Sequence, residues 1–306
     1  MTAPARQFQA AMIPRNRTAG EGRPWLGRLP QSGRMRLVQG PIDLILDLKG
    51  SADAVRAAEE RAAGAFDGLL DALVAELPVL RTPAGQGRGP QGGVARVMAA
   101  AVAPFLPRFI TPMAAIAGAV ADHVLAACVA GDGLDCAAVN NGGDIALCLM
   151  GDACYRIGIA DGRPGAPPLA QIGLGAGDGI GGIATSGWRG RSHSLGIADA
   201  VTVLARTAAG ADAAATMVAN AVDLAGHPGI MRHPARDLAP DSDLGNRLVT
   251  VDVGLLCPDE RARALDTGAE FAAEVIAGGL AQAVFLSLQG EVRSLGTGLS
   301  VVKEES

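Results

Sequence analysis

Apolar and polar residues change rhythm twice along this chain, and the changes mark its elements. From Arg34 to Leu48 apolar positions alternate around Gly40-Pro41, the period-2 pattern of two strands joined by a turn. Ser51 can cap a helix, and Ala52 to Leu77 carries apolar residues at three- and four-residue spacing, which predicts one helix closed by Pro78. Thr82 to Gly93 is rich in Gly and Pro and reads as a loop, with further helices expected over Val94–Leu106 and Thr111–Ala130. Beyond Gly131 short apolar runs separated by Gly and Asp take over. They predict strands at Leu134–Val139, Ile145–Met150, Tyr155–Ala160, Gln171–Leu174 and Gly182–Thr185. Ala200–Leu204 is a further strand, Asp212–Leu224 a helix, Thr250–Leu256 a strand and Asp259–Gly278 a helix. Ala283–Leu288 and Glu291–Leu295 form a closing hairpin around Gly290. Helices and antiparallel-type strands are segregated, so the expected fold class is α+β. Residues 1–30 hold many Arg, Pro and Gly without a period and read as a flexible N-terminal arm, which leaves 31–306 as one domain.

Composition narrows the function classes. The 306 residues are 49% apolar but only 3% aromatic, so the core is built from Ala, Val, Leu and Ile. A formal charge of -5, with no Lys/Arg cluster, gives no footprint for nucleic acid or an anionic membrane. The Ala-rich stretch from Val94 to Val129 is broken by Pro104, Pro107, Arg108 and Pro112, short of the ~18 uninterrupted apolar residues of a spanning helix. Met1 to Gly22 contains no apolar leader core, and the expected location is the cytoplasm. Five cysteines, none in a C-x-x-C pair, read as small buried thiols in a reducing compartment. The long Ala-rich helices are compatible with a homodimer joined through them.

Candidate chemistry sits in three runs: Val139-Asn140-Asn141-Gly142-Gly143-Asp144, Ala184-Thr185-Ser186-Gly187 and Ala211-Asp212-Ala213-Ala214-Ala215-Thr216. Asp212 and Thr216 are four residues apart in a helical run and so share one face. Two oxygens on a face of alanines suit Mg²⁺, which takes one or two protein ligands plus substrate phosphates. Gly177, Gly179 and Gly182 make a G-x-G-x-x-G match, but a β-like run follows where a dinucleotide site needs a helix, so a strand connection is expected. His193 follows the basic stretch Arg189, Arg191 and Ser192, and is the best candidate for a general base, against the reading of an exposed loop histidine. Ser186, His193 and Asp199 could be assembled into a triad, but no nucleophile elbow surrounds Ser186.

Ala117-Gly118-Ala119-Val120-Ala121-Asp122, Val139–Asp144, Arg156-Ile157-Gly158-Ile159, Ala184–Gly187, His193 and Ala211–Thr216 occur in this order. Together they resemble the ApbE-like superfamily, whose best-known members are FAD:protein FMN transferases, over Thr111 to Ala221. The tail Pro240–Gly245 with Leu248–Leu256 looks like an uncharacterised side branch. The resemblance implies Mg²⁺ held by Asp212, Thr216 and a carbonyl from Ala115–Gly118. It also implies FAD in a cleft lined by Gly118, Asn141, Gly142, Gly143, Asp144, Thr185, Ser186 and Gly187, with His193 as base. The activity implied is transfer of FMN to a threonine or serine of an acceptor protein, or hydrolysis of FAD. Three departures stand out. Ala117 and Ala119 replace a charged residue and an aromatic, the run His193-Ser194-Leu195-Gly196 lacks the family's His-x-x-Asp-Pro turn, and no Ser-rich flavin-contacting segment is recognisable in residues 30–90. The alternatives are an enzyme on the same scaffold acting on another small metabolite without flavin, and a non-catalytic flavin- or ligand-binding protein.

Overall fold

The computed structural model of the protein describes residues 24–159 and 170–296. Its strands are β1 (Trp25–Arg28), β2 (Met35–Gln39), β3 (Ile42–Gly50), β4 (Leu134–Asn141), β5 (Asp144–Leu149), β6 (Cys154–Ile159), β7 (Ala170–Gly175), β8 (Gly182–Ser186), β9 (Ala200–Ala205), β10 (Ile230–Pro234), β11 (Leu248–Val253), β12 (Ala283–Leu288) and β13 (Glu291–Gly296). Nine of them form one sheet in the order β1-β2-β3-β4-β5-β8-β9-β12-β13, with every neighbour antiparallel. The helices are α1 (Ala52–Phe66), α2 (Leu69–Ala75), α3 (Leu77–Leu80), α4 (Gly93–Val102), α5 (Ile116–Cys128), α6 (Ala208–Ala221), α7 (Ala235–Leu238) and α8 (Pro258–Ala277). The class is α+β, as the segregation of elements predicts.

Strand side chains divide by the period of two. In β4, Ala137 and Val139 join the helical core on one face, and Cys136 and Ala138 join a second cluster on the other. The first face carries α1, α5, α6 and α8. The second is covered by the β6–β7 hairpin through Tyr155, Ile157, Ile172 and Leu174. With both faces covered, β9 and β12 are buried at every position. Each such Val or Leu contributes about 1.5–3 kcal/mol of burial.

Most expected elements are present, and the exceptions have local causes. The helix expected over Ala52–Leu77 ends at Phe66, because Gly68 adopts φ +70° and restarts the chain as α2. Pro78 does not close a helix but sits in the first turn of α3, where its missing N–H is not needed. Strand β1 lies inside the segment expected to be an arm and pairs with β2, while residues 1–23 fall outside the described ones. Ala160, the expected end of β6, also falls outside them. Helix α6 begins one turn early, at a Thr207 cap whose side chain accepts from the Gly210 N–H.

The cysteines depart from the expectation of burial. Cys128 and Cys136 are buried, Cys148 is half-buried, and Cys154 and Cys257 are exposed. Burial pushes the Cys128 thiol up to about 12 and Cys136 up to about 11, so these two are unreactive packing groups. Among the described residues, no helix is long and apolar enough to cross a membrane.

Candidate functional site

Helices α5 and α6 touch at their amino ends, and glycine makes the contact possible. A Cβ on Gly118 would collide with the Ala208 carbonyl, so only hydrogen fits there. The approach brings each helix's unsatisfied N–H groups to a carboxylate of the other. Asp122 of α5 accepts from the Ala208 N–H at 3.0 Å and the Ala209 N–H at 2.9 Å. Asp212 of α6 accepts from the Gly118 N–H at 3.0 Å and also from Ala117.

Asp144 meets Asp212 from the sheet. The β4–β5 turn is closed by the Gly143 N–H donating to Asn140 Oδ1 at 2.8 Å, with Gly142 at φ +67°. Asn141 is buried and its Nδ2 donates to the Ala117 carbonyl at 3.1 Å, fastening the turn to α5. Asp144 Oδ1 accepts from the Thr185 N–H at 3.1 Å, and its Oδ2 accepts no hydrogen bond among the described residues. Asp144 and Asp212 are thereby held near enough for the charge of one to act on the other, and both keep partial exposure.

Two buried like charges cannot both ionise cheaply. Burial drives Asp212 well above the carboxylate range, and the charge of Asp144 pushes it further, against the N–H groups of Gly118 and Ala117. Burial pushes Asp144 up to about 7, opposed by the Thr185 N–H and by Arg191. The Arg191 guanidinium lies over Gly142, in the space a Cβ would fill. No third carboxylate, cysteine or histidine completes a cage: among the described residues, no group of three or more such side chains is arranged to hold a metal. A partly exposed carboxylate pair still suits a hard divalent cation that keeps waters and takes further oxygens from a phosphate. The cation would replace the protons that burial otherwise drives onto the pair.

The remaining expected residues divide between this site and its surroundings. Thr216 lies one turn along α6 from Asp212 and is half-buried. Thr185 is exposed at the rim, its hydroxyl 2.8 Å from that of Thr202, with Ser186 half-buried beside it. Gly118 and Gly187 are buried against backbone, Gly187 against Asp199. His193 is exposed on the 187–199 loop and makes no hydrogen bond among the described residues. Asp199 is buried and accepts from Trp188 Nε1 at 3.1 Å, Arg189 Nε at 2.7 Å and the Gln289 N–H at 2.6 Å, so it anchors the loop instead of serving a triad. Ala119 is buried in the helical core. Arg191 and the pairing of Asp144 with Asp212 were not foreseen. Loop placement carries no periodic signal, and strand–helix proximity needs the topology.

The sequence profile of the family described as "AbpE bacteria" matches residues 27–294. The chain belongs to this ApbE-like family. The UPF0280 protein of Methanothrix thermoacetophila is 42% identical over 116 residues, 37% of this chain and 46% of the relative. The UPF0280 protein of Methanopyrus kandleri is 37% identical over 154 residues, 49% of this chain and 59% of the relative. The chain thus spans about half the length of these relatives. The crystal structure of the ApbE protein of Thermotoga maritima aligns with 81% of this chain and 77% of its own, at 16% identity and a TM-score of 0.37.

Proposed function

We propose that this ApbE-like chain is a Mg²⁺-dependent binder of FAD or a closely related nucleotide diphosphate, acting as an FMN transferase or an FAD pyrophosphatase. The observation that carries the reading is the Asp144–Asp212 pair: two carboxylates, each held by backbone N–H groups, with the charge of Asp144 acting on Asp212. Asp212 and Thr216 would hold the metal, with Asp144 adding negative potential and a carbonyl of the 115–118 turn completing the set. A cation held there would supply charge neutralisation to a phosphoanhydride. Arg191, whose guanidinium lies over Gly142, would meet a second phosphate oxygen, and the Gly142-Gly143 turn would let backbone approach it closely. His193 is exposed where an acceptor hydroxyl could reach it, and imidazole can take that proton near neutral pH.

The test is thermal denaturation with FAD, with and without Mg²⁺. FAD at about 100 times its dissociation constant adds about 2.7 kcal/mol of stability to the state that binds it. The expected result is a melting shift that needs Mg²⁺ and disappears in Asp212→Ala. A shift that survives in that folded variant removes the metal site and, with it, this reading.

A further inference from the structure

Arg191 reaches over Gly142 from a segment that the protein fastens at both ends. Residues Gly190 to His193 are exposed, and the Arg191 side chain makes no hydrogen bond among the described residues. Its guanidinium is therefore aimed by the backbone that carries it. Beyond the tip, the Ser194 hydroxyl and the Leu195 N–H donate to Asn220 Oδ1, and the Leu195 carbonyl accepts from Arg232 Nη1 at 2.9 Å. Before the tip, the Trp188 N–H donates to the Ala198 carbonyl at 3.0 Å and closes the segment on itself.

The near end is tied by a buried charge. Asp199 is 7% exposed, and all three of its side-chain partners are donors. A carboxylate offers only acceptors, so it satisfies all three at once, whereas an asparagine would set an N–H against one of them. Two of the donors, Trp188 Nε1 and Arg189 Nε, belong to the segment, and the Arg189 guanidinium also stacks on the Trp188 ring, 4.5 Å from its centroid. The third is the backbone N–H of Gln289 in the β12–β13 turn. Gln289 is the one non-glycine among the described residues with a left-handed backbone, at φ +47°. A residue stays there only where its surroundings over-determine it. The Gln289 side chain supplies that hold, accepting from the Leu256 N–H at 3.0 Å and donating to the Gly254 carbonyl at 2.8 Å.

We propose that Asp199, set by Gln289, is the positioning residue for Arg191. It fixes the start of the 187–199 segment, so that the short tip presents the guanidinium across Gly142 to an anion at the carboxylate pair. The anion rests on the reading given above. The ordering of the tip does not, because every bond that fastens it is made within the protein.

A double-mutant cycle of Asp199→Asn with Arg191→Ala, read by calorimetric titration of inorganic pyrophosphate in Mg²⁺, tests the assignment. Asp199→Asn alone should lower affinity about tenfold, or about 1.4 kcal/mol, and should lower it no further in the Arg191→Ala background. Losses that add would show that Asp199 acts through some other group, and an unchanged affinity would show that it positions nothing; either overturns the proposal. If Asp199→Asn does not fold, Trp188→Phe takes its place, since it keeps the ring under Arg189 and deletes one donor to Asp199. Its loss should be about threefold and should likewise vanish beside Arg191→Ala. If pyrophosphate does not bind the wild-type protein, the phosphate reading falls and trypsin tests the positioning alone. A tip this short enters a protease only when an end lets go. Cleavage after Arg191 should then quicken by about tenfold in Asp199→Asn, or about threefold in Trp188→Phe, with cleavage after Arg96 of α4 unaltered. Equal rates at Arg191, or a matching rise at Arg96, overturn the proposal.

Discussion

Asp122, carried by α5, caps the amino end of α6, and Asp212, carried by α6, caps the amino end of α5. The exchange gives the same chemical group two fates. Asp122 has both oxygens bonded to N–H groups and no basic partner among the described residues, and burial raises its pKa against those two bonds. Asp212 makes similar bonds but also feels the charge of Asp144, and more weakly that of Asp122, both of which raise it further. Convergent helix ends concentrate positive potential at this point, which favours anions and the cations that travel with them.

Removal of the first cap should weaken the fold and not the ligand site. Asp122→Ala leaves the Ala208 and Ala209 N–H groups without their acceptor at a buried helix start and should cost about 1–2 kcal/mol. Chemical denaturation of the ligand-free protein measures it. A change within error would mean that water replaces the cap.

The close helix contact is a stricter requirement. Gly118→Ala places a methyl against the Ala208 backbone, where no flexible side chain can yield, so α5 and α6 must separate. Overpacking of this kind costs about 1–3 kcal/mol, and the same displacement shifts the N–H groups that hold Asp212. Melting temperature and Mg²⁺-dependent FAD binding should fall together. Loss of neither would show that the backbone accommodates a methyl.

Strands and the closing hairpin were legible because a sheet covered on both faces leaves unbroken apolar runs such as Ala283–Leu286, and turn residues such as Gly290 punctuate them. The helix over residues 52–77 was legible as a pattern but not at its break, since apolar spacing continues across Gly68 while the backbone does not. Asp212 and Thr216 could be placed on one face from their spacing alone. What met that face could not, because Asp144 and Arg191 arrive from a strand turn and a loop that only the sheet order brings near. His193 was read as either a base or a loop residue, and its exposure leaves that choice to chemistry.

Arg191 offers a cleaner separation of binding from folding. Its side chain is exposed and crosses over Gly142 beside Asp144. Arg191→Ala should leave the melting temperature within about 1 °C, since exposed substitutions usually change stability by less than about 0.5 kcal/mol. Affinity for a diphosphate should drop by about 10- to 100-fold, as one charged hydrogen bond is worth about 1.5–3 kcal/mol. Arg191→Lys should recover part of it, lacking the bidentate fork. Unaltered affinity in the alanine variant would place the anion elsewhere.

The pH dependence of the metal-free protein follows from the carboxylate pair. Asp144 is pushed up to about 7, and Asp212 is also raised, so at intermediate pH the native state holds more protons than the unfolded chain. Stability must then fall as pH rises from about 4 to about 7, because the slope follows the unfolded-minus-native proton count. Asp144→Asn keeps an oxygen for the Thr185 N–H but removes the charge, and should flatten that fall and make the metal-free protein the more stable one at pH 8. Added Mg²⁺ should do the reverse to the wild type, raising its melting temperature more at pH 8 than at pH 5, where protons occupy the pair in its place. Melting curves of both proteins across this range, with and without Mg²⁺, decide the matter. Parallel curves for wild type and Asp144→Asn would mean that the two carboxylates do not share a conflict, and the cation would have no reason to enter between them.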